Sequence, residues 1–275
     1  MKKLTILLML IIFGAHVSIA QKPSDDSEEV TKSRRERIKE TSLERPSNPA
    51  TNSLTAAEVG EPDSFGKNAK FLGIASSGYA IIYSTCDPAI LLSELGVVLG
   101  PDDRCLAVPN PNVTATAVFT DMARITFPAR TASDIIYMIN NHSINWDSTN
   151  DTAANLFGTM SYSPRVTIES VALNDPAAVD PNTGLPLNGS FTTTGNGTKF
   201  SSGLLAPGAF NSYVESYSRA NTLGFSREYF RALGFPNSVI NSLYRNPMTI
   251  RLGMRLSVRG VPYGQYTYTA RFLGS

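Results

Sequence analysis

Apolar and polar residues alternate in short runs from about Pro62 onward, and Gly, Pro, Asn and Asp bound the runs. A period of two sends every second side chain to one face, which is the texture of half-buried antiparallel strands. The pattern predicts strands over 70–74, 79–84, 113–119, 124–127, 135–139, 156–162, 165–172, 189–193, 212–217, 249–258 and 265–272. Nothing alternates strand with long helix as a parallel α/β enzyme does. The fold class expected is all-β: an antiparallel β-sandwich, Ig-like or jelly-roll-like, with a short helical insert near residues 226–246.

The insert is legible from its ends. Ser226 can cap a helix over 227–233, Gly234 can take the left-handed turn that ends it, and Pro236 enforces the stop. A second short helix over 238–245 closes at Asn246-Pro247. Phe225, Tyr229, Phe230, Leu233, Phe235, Val239, Ile240, Leu243 and Tyr244 are expected in the core against a sheet and not in a ligand pocket. An apolar run over 90–98 reads as a further helix, with Asp87 and Pro88 ahead and Gly100 behind.

The C-terminal strands are the most regular. Ile250, Leu252, Met254, Leu256 and Val258 point one way, and Arg251, Gly253, Arg255, Ser257 and Arg259 the other. The segment Gly260-Val-Pro-Tyr-Gly264 turns the chain. The return strand puts Tyr266, Tyr268, Ala270 and Phe272 on the core side and Arg271 outside. Read as a hairpin, the pair gathers Arg251, Arg255, Arg259 and Arg271 on one outer face.

The N-terminal part has a different texture. Lys2 and Lys3, the apolar run Leu4 to Phe13 and small residues at Ser18 and Ala20 form a secretory signal peptide over 1–20. Gln21 stands where a lipoprotein needs cysteine. Residues 21–61 carry mixed charge runs and few large apolar side chains, too little apolar surface to offset ordering entropy, and are expected to be a disordered tether. Residues 62–275 are expected to form a single β-rich domain. No later stretch approaches the roughly 20 apolar residues of a membrane-spanning helix. The expected location is the periplasm, the medium or the cell surface.

Composition excludes little. Net charge is +1, with 17% charged and 42% hydrophobic residues, as in ordinary globular domains. The distribution of charge says more: from Arg227 onward there are seven arginines, no lysine and one acid, Glu228. Arginine's planar fork suits carboxylate, phosphate or sulfate. The ligand-binding residues expected are therefore Arg251, Arg255, Arg259 and Arg271, with an envelope or extracellular polyanion as ligand. Two cysteines in an exported chain predict a Cys86–Cys105 disulfide.

Catalytic motifs are missing. After signal removal His142 is the one histidine, in an Asn-rich stretch that reads as loop, and no G-x-S-x-G elbow occurs. Gly60 to Asn68 departs from a P-loop in spacing and in Asn68 after Lys67. Zinc lacks a ligand set. Asp180-Pro-Asn182-Thr-Gly184 opens like a calcium loop without its distal glutamate, so Asp180 and Asn182 are weak calcium candidates and turn residues first. Glu94, Glu169, Glu215 and Glu228 leave a glycosidase-type carboxylate pair open. No catalytic residue and no cofactor is assigned.

Glu61–Gly66, Arg124–Arg130, Asn174–Pro186 and Asn246–Leu252 together resemble exported bacterial proteins of this length to which no activity is assigned. Gly264–Phe272 resembles the last strand of chaperone-usher pilus subunits, although the charged tether lacks the alternating apolar residues of a donor strand. The function expected is a non-enzymatic, envelope-associated or secreted binding module of adhesin-like character. The alternatives are a pilus-like structural subunit, whose partner is another subunit, and a secreted hydrolase. No cytoplasmic nucleic acid is expected as partner.

Overall fold

The computed structural model describes residues 69–195, 198–217 and 222–275, with backbone alone at 215–217, 222 and 223. The expected signal peptide and tether, Gly60 to Asn68, the whole segment Glu61–Gly66 and the side chain of Glu215 lie outside the described residues. In chain order the strands are β1 (Lys70–Ser76), β2 (Ala80–Tyr83), β3 (Arg104–Ala107), β4 (Ala115–Phe127), β5 (Ile135–Thr149) and β6 (Leu156–Glu169). They continue as β7 (Ser190–Thr194), β8 (Lys199–Leu205), β9 (Phe210–Tyr217), β10 (Thr222–Ser226), β11 (Met248–Arg259) and β12 (Tyr263–Gly274). The helices are α1 (Pro88–Ile90), running on into a π-helical turn Leu91–Leu95, α2 (Arg227–Ala232) and α3 (Asn237–Arg245).

The fold is an all-β sandwich. A seven-stranded sheet runs β10-β5-β12-β2-β3, with β1 continuing beside β12 and β9 beside β5; a five-stranded sheet runs β4-β11-β6-β7, with β8 also on β6. All pairings are antiparallel except β2 with β3. The core lies between the long central strands. Ile250, Leu252, Met254, Leu256 and Val258 of β11 face Tyr266, Tyr268, Ala270 and Phe272 of β12, all fully buried. Burying each large apolar side chain contributes about 1.5–3 kcal/mol.

These two strands do not form a hairpin. β11 is bonded to β4 and β6, and β12 to β5, β1 and β2 in the other sheet. The 260–264 segment arches from one layer to the other. Both strands have a fully apolar face, and two such faces can bury each other across the sandwich.

Several strands are longer than their local pattern. β4 passes through a bulge, where the register with β11 jumps between Leu252/Ala123 and Met254/Phe119. A Cβ on Gly253 there would lie 2.5 Å from the Phe119 carbonyl oxygen, so the close approach requires glycine. β6 continues across Pro164, because that residue falls where β6 changes neighbour from β8 to β7. The Pro164 carbonyl accepts from Gly195 N–H on that side, and the proline nitrogen faces the same gap, so no ladder bond is lost. β5 runs straight through Asn140–Trp146, and His142 is strand, not loop. β3, β8 and β10 have no counterpart among the strands that the pattern predicts.

The helical insert is as expected: Ser226 Oγ accepts from Tyr229 N–H at 3.0 Å, and Gly234 takes φ 87°. Phe225, Phe230, Phe235, Val239, Ile240, Leu243 and Tyr244 are buried with the main core, whereas Tyr229 in α2 and Leu233 at its end are only partly buried against it, since a helix lying on a core turns one stripe inward. The Leu91–Leu95 turn covers a second, smaller core of Ile81, Leu91, Leu95, Val97 and Tyr263 on the outer side of β2 and β12. The Cys86–Cys105 disulfide is present beside it, with Cα atoms 5.8 Å apart.

Candidate functional site

The four arginines separate into four environments. Arg251 sits between two carboxylates: its Nη1 donates to Asp121 Oδ2 at 2.7 Å, and its Nε lies 2.9 Å from Glu169 Oε1. Asp121 reaches this place because the bulge in β4 turns it outward, and it also pairs with Arg124 at 3.1 Å. Arg259 Nε donates to the Asn112 carbonyl at 3.0 Å. Arg271 is exposed on the outer side of the other sheet, paired in register with Ile139 and Ile74. The expected common face for all four is thereby corrected: β11 and β12 belong to different layers.

Arg255 has a different neighbour. β6 and β11 are registered so that Ser163 faces Arg255 and Arg165 faces Gly253. Arg165 and Arg255 are thus diagonal neighbours on the outer side of the five-stranded sheet. Gly253 adds no side chain between them. Neither arginine has an ion pair among the described residues.

Both line a groove of about 490 Å³. Ser163, Thr192 and Thr194 contribute hydroxyls, and Asn182 an amide. Pro181 and Leu233 supply apolar wall, the first from the loop after β6 and the second from the end of α2. Two of the hydroxyls are held in place: Thr192 Oγ1 is 2.9 Å from Thr167 Oγ1, and Thr198 Oγ1 donates to Ser163 Oγ at 3.2 Å. Similar cross-strand pairs, Thr116 with Ser257 and Thr126 with Thr249, continue over this face. Asn182 is fixed by a tight turn in which its N–H donates to Asp180 Oδ1 at 2.7 Å and Gly184 N–H donates to the Asp180 carbonyl at 2.7 Å. Asp180 therefore serves the turn, and Asn182 serves the groove. Among the described residues no three His, Cys, Asp or Glu side chains gather as a metal centre would require.

The single histidine of the folded region lies in the core. His142 is 4% exposed, stacks on Tyr266 at 6.1 Å between centroids and meets Tyr162 edge-on at 5.5 Å. Its Nε2 is 3.3 Å from the Tyr162 hydroxyl. Burial first, and the charge of Lys199 second, lower its pKa from 6.5 to about 4. Asn140 completes this polar layer by accepting from the Tyr268 hydroxyl at 3.1 Å.

Comparison with known proteins adds no family. No family model matches the chain, and no curated protein does. A solved structure described as "Structure of infectious bursal disease virus Gt strain" aligns at 7% identity over 74% of this chain and 62% of that one, with a TM-score of 0.08. The chain spans less than two thirds of that protein, and a likeness at that score carries no argument about fold or function.

Sequence reasoning reaches Arg255, misses Arg165, Ser163, Thr192 and Thr194, and places in the core Leu233, which lines the groove. Arg165 shares the outward parity of Thr167 and Glu169 in its own strand, a signal of the same kind that singles out β11. What the sequence does not carry is that β6 and β11 are neighbours.

Proposed function

We propose that this protein is an exported binding module, adhesin-like in character, that works in the periplasm or at the cell surface and takes an anionic ligand in the Arg165–Arg255 groove. The observation that carries this reading is a pair of guanidiniums that, among the described residues, have no carboxylate partner and line a recess with hydroxyls. Arg251, on the same strand as Arg255 and at the same parity, is by contrast neutralised by two acids. A recess of this size falls within the roughly 300–1,000 Å³ typical of small-molecule sites. The disulfide supports an oxidising compartment. Among the described residues, no helix is long and apolar enough to cross a membrane.

The test is salt elution from immobilised heparin. The wild type is expected to be retained and to elute earlier as salt rises, because the attraction is screened. Arg165→Ser/Arg255→Ser should elute early, whereas Arg271→Ser, on the other sheet, should elute with the wild type. Equal loss in both variants would leave general surface charge as the cause and remove the groove from the reading.

A further inference from the structure

The lining of the groove narrows the class of anion. We infer that the ligand is an acidic sugar residue, its carboxylate gripped by Arg165 and Arg255 and its hydroxyls read by Ser163, Thr192, Thr194 and Asn182. This rests on the anion-binding reading above and deepens it.

Each lining group has a defined capacity for hydrogen bonds. A guanidinium only donates, and its fork matches the two oxygens of a planar carboxylate. Serine and threonine hydroxyls and the asparagine amide both donate and accept. A sulfate ester offers acceptors alone and hydrogen phosphate a single donor, so either would engage the arginines and leave most of the accepting half of the other groups unused. A sugar ring presents several hydroxyls that donate and accept in the same way. The internal bonds of Thr192 and Ser163 each use one valence and leave further capacity on both oxygens.

Size and polarity agree. Two arginines could clamp a bare oxyanion in a much smaller space than about 490 Å³. Pro181 and Leu233 give the recess an apolar wall against which the C–H face of a ring can lie. The arrangement has a few placed polar groups on a partly apolar concavity, as small-molecule sites generally do. The turn through Asp180 and Gly184 holds the Asn182 backbone in position, so only its side-chain amide has to order on binding.

The experiment is isothermal titration of the purified mature chain with galacturonic acid trisaccharide, with the neutral galactose trisaccharide, and with inorganic phosphate as competitor. The galacturonate oligomer is expected to bind and the neutral one to bind at least tenfold more weakly. Arg165→Lys and Arg255→Lys keep the charge and lose the fork, and each should weaken galacturonate binding by tenfold or more. Asn182→Ala, on an exposed turn, should weaken galacturonate binding several-fold without changing heparin elution. If phosphate displaces the trisaccharide at equal concentration, or if Asn182→Ala and both lysine variants bind it as the wild type does, the groove reads charge alone. The sugar assignment then falls while heparin retention still decides the anion-binding reading. No binding of the trisaccharide with intact heparin retention has the same consequence.

Discussion

His142 lies between the rings of Tyr162 and Tyr266, and its position makes the core sensitive to acid. The folded imidazole titrates near 4, whereas the unfolded chain has its histidine near 6.5. Between these values the unfolded state binds more protons, so stability falls as pH is lowered through 6.5 and levels off below 4. The contribution lost between pH 7.5 and 4.5 is about 2.5 kcal/mol on this single-site basis. Urea unfolding of the wild type and of His142→Gln at the two pH values should show a smaller pH effect in the variant by about that amount. Equal pH effects would mean that the imidazole is not a source of acid sensitivity. At this scale the sequence is unevenly legible. Core positions such as Phe230, Ile240 and Leu256 follow from periodicity, because apolar side chains declare their side. His142 does not, since a histidine in Asn140-Asn-His-Ser looks like loop until its partners on β6 and β12 are known. Arg251 and Arg255 are the same residue type at the same strand parity, and only their neighbours, Asp121 turned outward by the bulge and Glu169 on β6, make one a neutralised ion and leave the other a groove residue.

Among the elements, β3 is the one whose existence depends most on a covalent link. It is four residues long, runs parallel to β2 and forms the edge of the seven-stranded sheet. Parallel pairing of two short strands cannot be closed by a tight hairpin, so the chain makes an excursion through α1 and the Leu91–Leu95 turn before returning. The Cys86–Cys105 disulfide closes that excursion, with a sequence separation of 19. In the chain-entropy view a loop of this size stabilises the fold by roughly 3 kcal/mol. Asp103 adds a second tie, accepting from Tyr79 N–H at 2.7 Å and Gly100 N–H at 2.6 Å. Cys86→Ser/Cys105→Ser should therefore melt several degrees lower, and its β3 amides should exchange far faster than those of β11. Loss of protection spread evenly over both sheets would instead show that the bridge supports the whole sandwich. The disulfide is legible from two cysteines and an N-terminal pattern read as an export signal, but β3 is not, because four residues after a charged turn give no period. The arch between β11 and β12 marks the other limit. A strand, a glycine-bounded turn and a second strand are written identically whether the chain folds back in one sheet or crosses to the next.

For the molecule as a whole, the pattern of strand neighbours bears on whether it works alone or as a subunit of an assembly. A pilus-like subunit completed by a donated strand needs a vacant lane beside its own C-terminal strand. β12 has none: β5 pairs with it from Tyr263 to Gly274 on one edge. On the other edge β2 pairs at Gly264–Tyr266 and β1 at Thr269–Gly274, apart from a one-residue shift near Gly73. Between them Ser77 N–H donates to the Tyr268 carbonyl, and Tyr268 N–H donates to Ser77 Oγ, both at 2.7 Å. The strand that resembles the last strand of pilus subunits is thus the centre of its sheet. Edges remain at β8 and β9, where Phe200, Leu204, Tyr213 and Val214 are exposed, but a strand added there would extend a sheet and not fill a core. The protein produced under oxidising conditions should elute from size exclusion as a monomer and unfold in one transition without any partner. Elution as a polymer, or a folded state reached only when an extended peptide is supplied, would favour the subunit reading over the self-contained binding module.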